Sequence, residues 1–267
     1  MSSRRPNLGH GLKIIITGAS GGIGSALAKC AGQHGASLGL MGRNTHQLNR
    51  IAQELTRDGV CVSVYIGDLG DLNYVSHSIH SFSTQMGGID VVIHAAGVGL
   101  RDRYYSNRTE EELELLNINM TASISLLKTV IPIFDTGGWG HFVNLSALGA
   151  YYWAPFQSAY VASKAGFLAY CTSLNYELRQ KNIYISNVIL PGVDTPFTDH
   201  PNYEVYRRQG KLLLPETVAA KVVKGLLVPR QNLVVGSKIG YWISRISMFA
   251  PYLFQSIIEK RNPPPKG

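Results

Sequence analysis

Cysteine is scarce here and badly placed for pairing. Cys30, Cys61 and Cys171 are the whole set, far apart and in no Cys-x-x-Cys spacing. An odd, scattered trio excludes a disulfide framework and fits a reducing compartment, each thiol serving as a small buried hydrophobe. The 8 histidines fall in no zinc-ligand spacing, so no metal is expected. Acidic residues are also few, 17 against 25 lysines and arginines, for a net charge of +8. That balance suits an anionic partner: nucleic acid, an anionic bilayer or a phosphorylated cofactor. The cations form no block, which argues against nucleic acid. Long hydrophobic runs are missing as well. No stretch approaches the ~18 apolar residues of a membrane span. The apolar run behind the basic start "MSSRRPNLGHGLKIII" is far too short for a signal peptide. The expectation is a cytoplasmic protein, soluble or at most peripheral at a membrane. On the same ground the Asn-x-Ser/Thr triplets at Asn107, Asn119 and Asn144 are coincidental.

What the chain does have is alternation. Its 267 residues, 45% hydrophobic and 16% charged, are ample for the core of one α/β domain. Short apolar runs at 12–16, 36–41, 60–66, 89–95, 141–146, 183–190 and 232–236 read as seven strands. Most are nearly continuous in apolar residues, as expected when both faces of a sheet are covered. Segments 22–34, 44–58, 71–86, 109–134 and 157–181 are long enough to be helices. Repeated strand–helix alternation predicts a doubly wound parallel sheet of the Rossmann type. No linker interrupts it. The expected organisation is a flexible tail over 1–10, a nucleotide-binding and catalytic domain over 11–237, and an amphipathic extension of it over 238–267.

The first strand runs into "TGASGGIG". Gly18, Gly22 and Gly24 stand in a Gly-x-x-x-Gly-x-Gly spacing where a strand gives way to a helix. Glycines let a backbone turn sharply and approach a pyrophosphate, and the helix N-terminus offers free N–H groups to it. Gly18, Ser20, Gly22, Ile23 and Gly24 are therefore candidates to hold a dinucleotide. The second strand ends at Gly42 and Arg43, where an acidic residue would grip the ribose of NAD. A guanidinium can instead pair with a 2′-phosphate, which favours NADP(H). Asp68, in "GDLGD", could take the adenine amino group or cap the next helix.

Tyr160 and Lys164 lie four residues apart in a helical pattern and so share a helix face. An ammonium beside a phenol favours the phenolate, lowering the tyrosine pKa towards the range of general acid–base work. Around this pair stand "HAAG" (94–97), "NINM" (117–120), "VNLSALG" (143–149), "YVASK" (160–164) and "PGVDTPF" (191–197). With "TGASGGIG" and "GDLGD", these pieces in this order resemble the short-chain dehydrogenase/reductase family over nearly the whole chain. The resemblance implies that Tyr160 is the acid/base and that Lys164 binds the nicotinamide ribose. It also implies that Ser146 bonds the substrate carbonyl, that Asn119 holds a water serving Lys164, that Gly97 borders the cofactor, and that Thr195 bonds the carboxamide. Small substrates and a homodimer or homotetramer are implied too.

Three departures stand out. "HAAG" puts His94 and Ala95 where the family has two asparagines, and His94 reads as structural. "PGVDT" is one residue shorter than the family's pattern around Thr195. The serine lies fourteen residues before Tyr160 rather than the usual thirteen, and thirteen lands on Ala147. Strand register also points to Ala147, whereas the Ser-x-x-Gly pattern supports Ser146.

The substrate end is distinctive. "YYW" (151–153) and Phe156 add bulk before Tyr160, and segment 196–214 reads as a mobile lid with Phe197, Tyr203 and Tyr206 on a pocket. Ile239, Trp242, Ile243, Ile246 and Phe249 follow at helical spacing, broken at Pro251 and resumed by Leu253, Phe254, Ile257 and Ile258. Lys238, Arg245, Lys260 and Arg261 flank them against Glu259 alone. Such a segment over 238–261 can be a core helix, a cleft cover, a subunit seam or an element lying on an anionic bilayer. The function expected is NADPH-dependent interconversion of a carbonyl and a secondary alcohol on a hydrophobic, lipid-like substrate. The alternative is a catalytically silent NADP(H)-binding sensor or scaffold.

Overall fold

The apolar runs become strands and the segments between them helices. The computed structural model describes residues 11–199, 201–208 and 212–265, so the expected N-terminal tail over 1–10 lies outside the described residues. In chain order the elements begin β1 (Lys13–Thr17), α1 (Gly22–Gln33), β2 (Ser37–Gly42), α2 (Thr45–Arg57), β3 (Val62–Ile66), α3 (Leu72–Met86) and β4 (Val91–His94). A long helix follows, α4 (Thr109–Leu116) and α5 (Ala122–Gly137), joined through a π turn over Asn117–Thr121. Then come β5 (Gly140–Ala147), α6 (Ser158–Leu178), β6 (Ile183–Leu190), the short α7 (Glu204–Arg208), α8 (Pro215–Gly225) and β7 (Asn232–Val234). The chain closes on a helical hairpin, α9 (Lys238–Phe249) and α10 (Pro251–Arg261), bent at Pro251 as its ring demands.

All seven strands lie parallel in one sheet, ordered β3-β2-β1-β4-β5-β6-β7. The pleat sorts each strand's side chains by parity. Ile14 and Ile16 point to one face and pack with Leu27 of α1, Leu48 of α2 and Val222 of α8. Ile15 points to the other and meets Phe82 of α3, Phe134 of α5 and Phe167 of α6. Burial on both faces is why the strands are apolar without alternation. Side chains start helices where the sequence offers them, Ser237 at α9 among them, accepting from Gly240 N at 3.1 Å. Asn44 accepts from Gln47 N at 3.0 Å, and Asp71 accepts from Asn73 N and Tyr74 N.

Strand order reverses between β1 and β4, because β2 and β3 build outward on one side and β5 to β7 on the other. Loops leaving the carboxyl ends of β1 and β4 therefore diverge, and the crevice between them is where such sheets take a ligand. The continuous helix Thr109–Gly137 is long and apolar enough to cross a membrane by length and composition. Its Leu115, Leu126, Leu127, Val130 and Phe134 are buried against the protein interior. Segment 196–214 holds two single turns, Pro196–Thr198 and Pro201–Tyr203, followed by α7; residues 200 and 209–211 lie outside the described residues.

Candidate active site

A cavity of about 920 Å³ opens over the carboxyl ends of the strands. The turn after β1 forms its floor. Gly18 sits at φ +66°, and a Cβ there would come within 2.7 Å of Ala96 N, so this turn tolerates only glycine. A Cβ on Gly22 would meet the Thr195 methyl at 2.6 Å, which places the β6 loop directly over the turn. The α1 N-cap is Gly21, with no side chain closing the first N–H groups. A cradle stripped of side chains at a helix N-terminus fits a pyrophosphate. Gly18, Ser20, Gly22, Ile23, Gly24, Arg43, Asp68, Gly97 and Thr195 all line this one cavity, as do Ser146, Tyr160 and Lys164.

Arg43 and Asp68 meet at the rim beyond β2 and β3, Nη1 to Oδ2 at 3.3 Å. Both are exposed, so the pair itself adds little stability. The other Asp68 oxygen accepts from Gly70 N at 2.8 Å. Asp68 thus closes a turn and faces the cavity; capping of α3, one of its two expected roles, belongs to Asp71 instead.

Tyr160 and Lys164 descend from the first turns of α6. The Lys164 ammonium donates to Leu145 O at 3.3 Å and lies 6.0 Å from the Tyr160 ring centre. Burial pushes it down to about 8. Burial also drives the Tyr160 phenol well above its ordinary range, and the phenols of Tyr206 and Tyr152 add to the rise. The expectation that Lys164 depresses Tyr160 is thereby reversed for the protein's own groups. Desolvation of the phenolate outweighs a cation that is itself desolvated and turned to a backbone carbonyl.

The serine question has a geometric answer. Ser146 shares pleat parity with Phe142, whose ring packs in the same core layer as Phe167 of α6. Leu145 and Val143 point to the opposite core, and Ala147 shares their parity. The hydroxyl of Ser146 is buried, lines the cavity and has no hydrogen-bond partner. This differs from both sequence arguments for Ala147, the count back from Tyr160 and the strand register; Ala147 also lines the cavity, from the opposite pleat parity of β5.

Asn119 is the candidate that does not reach the cavity wall, where Ile118 stands instead. Its Nδ2 donates to Val98 O at 2.9 Å and Ser163 Oγ at 3.1 Å, and its Oδ1 accepts from Val98 N at 2.8 Å. It pins the β4 loop to α6 from within the π turn. His94 stands behind it. Ser123 donates to Asn119 O at 3.0 Å, so His94 Nε2 donates to Ser123 Oγ at 2.7 Å and Nδ1 accepts from Thr17 at 2.8 Å. Burial and the Lys164 charge push His94 down to about 3, keeping it neutral and structural.

At the outer end Phe197, Tyr203 and Tyr206 line the cavity, as expected from the sequence. Of the aromatic triplet only Tyr152 does so, and Phe156 instead takes the Arg101 guanidinium against its ring at 5.7 Å. Sequence reading missed Gln157 and Asn262. Gln157 donates to Tyr206 OH at 2.8 Å, and Tyr206 donates to Asn262 Oδ1 at 3.1 Å, tying α6 to the end of α10. Nothing local marks such a long-range chain. Gly240, Ser244 and Ser247 of α9, also missed, face the cavity together with Phe254, Ile257 and Ile258 of α10. Their spacing was the available signal: small residues on one helix stripe.

Comparison with known proteins gives a consistent picture. The family model described as short chain dehydrogenase matches residues 13–204. A 3-oxoacyl-[acyl-carrier-protein] reductase of Chlamydia muridarum is 33% identical over 69% of this chain and 75% of its own. A dehydrogenase/reductase SDR family protein 7-like protein of Anopheles gambiae is 25% identical over 94% of this chain and 83% of its own. Among solved structures, L-sorbose reductase from Gluconobacter frateurii, complexed with NADPH and L-sorbose, superposes with a TM-score of 0.76. It is 21% identical, and the match covers 86% of this chain and 97% of that one.

Proposed function

The chain belongs to the short-chain dehydrogenase/reductase family, oxidoreductases acting on CH–OH groups with NAD(P), and from that premise we propose that it reduces the carbonyl of a hydrophobic, lipid-like substrate with NADPH. The observation that carries the reading is Tyr160. It is buried on the cavity wall in the company of Lys164 and Ser146, and its environment keeps it a phenol at neutral pH. A phenol there can give its proton to the oxygen of a carbonyl as it is reduced. The unpartnered Ser146 hydroxyl holds the carbonyl oxygen, and Tyr160 delivers its proton there as negative charge develops. The dinucleotide, when bound, supplies the hydride. Lys164 orients the ribose and carries its positive charge below about pH 8. Asn119 fixes the loop beside Lys164: its Oδ1 and Lys164 Nζ each stand 3.2 Å from where a Cβ on Gly97 would be. A water beside Asn119 would then relay protons to Lys164.

Arg43 on the rim, with Gly42 rather than a carboxylate at the tip of β2, supports NADPH over NADH. Replacing Arg43 with Ala should weaken NADPH binding roughly 10- to 100-fold, the worth of a charge-assisted hydrogen bond, and leave NADH nearly unchanged. Equal loss of both in a binding titration would refute the 2′-phosphate assignment. The apolar outer wall and the acyl-reductase name of the Chlamydia relative support an acyl-type substrate. The family supports a homodimer or homotetramer, which sedimentation reads directly.

The decisive experiment is NADPH oxidation with a panel of apolar ketones and 3-oxoacyl esters, wild type against Tyr160→Phe. Turnover in the wild type and loss in the variant is expected. If no carbonyl is turned over above the variant while NADPH still binds, the protein is the silent NADP(H) sensor or scaffold and the proposal falls.

A further inference from the structure

Helix α9 is turned inside out relative to a core helix. Gly240, Ser244 and Ser247 face the cavity, while Ile239, Trp242, Ile246 and Phe249 face outward. Helix α10 has no buried residue at all. Where the two meet, at Ala250–Pro251, the largest apolar side chains are the most exposed: Phe249 at 78%, Tyr252 at 87% and Leu253 at 79%. An amphipathic helix on a soluble protein directs such side chains at the core, and an extended apolar surface marks an interface.

Charge selects the occupant. Lys238, Arg245, Lys260 and Arg261 stand in the hairpin against the single carboxylate of Glu259, in a chain of net charge +8. A second copy docked face to face would oppose these cations to their own images. An anionic lipid surface complements them. Arg245 lies over the rings of the buried Tyr151 and Tyr241 and of the exposed Trp242 at 5.6, 5.9 and 5.9 Å, which fixes its charge beside the outward aromatic face of α9. The cavity wall reaches the same surface: Ile243 and Ile257 line it, yet are 46% and 49% exposed.

We propose that the α9–α10 hairpin docks this protein on an anionic phospholipid bilayer, and that apolar substrate passes from the lipid into the cavity between Ile243 and Ile257. The passage rests on the hydrophobic-substrate reading; the docking does not. Apolar insertion and charge attraction act together, since one signal alone gives marginal binding.

The test is sedimentation of the full chain with phosphatidylcholine vesicles, with and without phosphatidylserine. Binding should require phosphatidylserine, weaken in high salt, and fall about fivefold with Lys260→Ala. It should fall roughly tenfold with each of Phe249→Ser and Leu253→Ser, which remove large side chains from the lipid. Neither residue lines the cavity, so reduction of a water-soluble ketone and the oligomeric state should not change, while reduction of a vesicle-borne ketone should drop with binding. Binding indifferent to phosphatidylserine, no binding, or dissociation of an oligomer by the two serine substitutions would overturn the docking. Normal docking with no ketone reduced would uphold it and sink the reductase reading instead.

Discussion

The Ser146 hydroxyl bonds no other group among the described residues, so it lends the fold no hydrogen bond. Substituting Ser146 with Ala should leave the urea midpoint unchanged or raise it, while lowering ketone turnover about 100-fold. A merely structural serine would behave the other way round, so stability and rate measured on one preparation separate the two. His94 is the opposite case. Its two ring nitrogens hold Thr17 and Ser123, and Ser123 holds the π turn at Asn119. Replacing His94 with Ala takes one partner from each hydroxyl and opens a cavity, which should cost about 2–4 kcal/mol in urea unfolding. At this scale the sequence was a good guide to identity and a poor one to direction. Tyr160, Lys164 and the glycines could be named from spacing, and all line one cavity. Which way Ser146 points follows from pleat parity along β5, and that parity needs the strand's end, which counting back from Tyr160 does not supply. The rise of the Tyr160 pKa was equally hidden, because it comes first from burial and then from the phenols of Tyr206 and Tyr152, residues remote in sequence or unmarked by any local pattern.

Among elements, the turn after β1 is the most constrained. Gly18→Ala would add a left-handed strain of about 1–2 kcal/mol to a collision with the backbone of Ala96. Dinucleotide binding, followed by fluorescence titration, should be lost before the fold is. The strands were legible because burial on both faces writes itself as continuous apolar residues, and their bounds moved by no more than two residues. The π turn was not legible: "NINM" reads as uninterrupted helix, and the extra residue shows only in the backbone, where Ala122 N donates to Asn117 O, five residues back. In α9 the apolar period was plain but its direction was not. Periodicity locates an apolar face, while the side it turns to depends on what packs behind, here a stripe of glycine and serines bordering a cavity.

For the whole molecule, two buried histidines govern behaviour in acid. Burial holds His94 at about 3 and His141 at about 4, below the ordinary value of 6.5. Above that value the unfolded chain binds no extra proton and stability is full. As pH falls from 6.5, the unfolded chain takes up two protons that the fold refuses, losing about 1.4 kcal/mol per pH unit for each histidine. Urea midpoints should therefore drop steeply from pH 6.5 down to about 4, and half as steeply in any foldable His94 variant. Lys164 adds a slope at the other end. Its depressed value of about 8 means that its own contribution to stability rises with pH from there, until ionisation of Cys171 in the unfolded chain above about 9, and of the buried tyrosines above about 10, opposes it. Reduction should fall over the same interval as the lysine loses its charge, a divergence visible in paired rate and stability profiles. The sheet order carries a consequence of another kind. β1 pairs with β4 as well as β2, and Ile14 meets Val91 across 77 residues of sequence. On a ribosome adding about 5–20 residues per second, one edge of the central strand waits several seconds for its neighbour to be made. During that time an apolar, hydrogen-bond-hungry edge is open to any passing strand, so yield in cells should depend on translation speed and chaperone supply more than the finished fold would suggest.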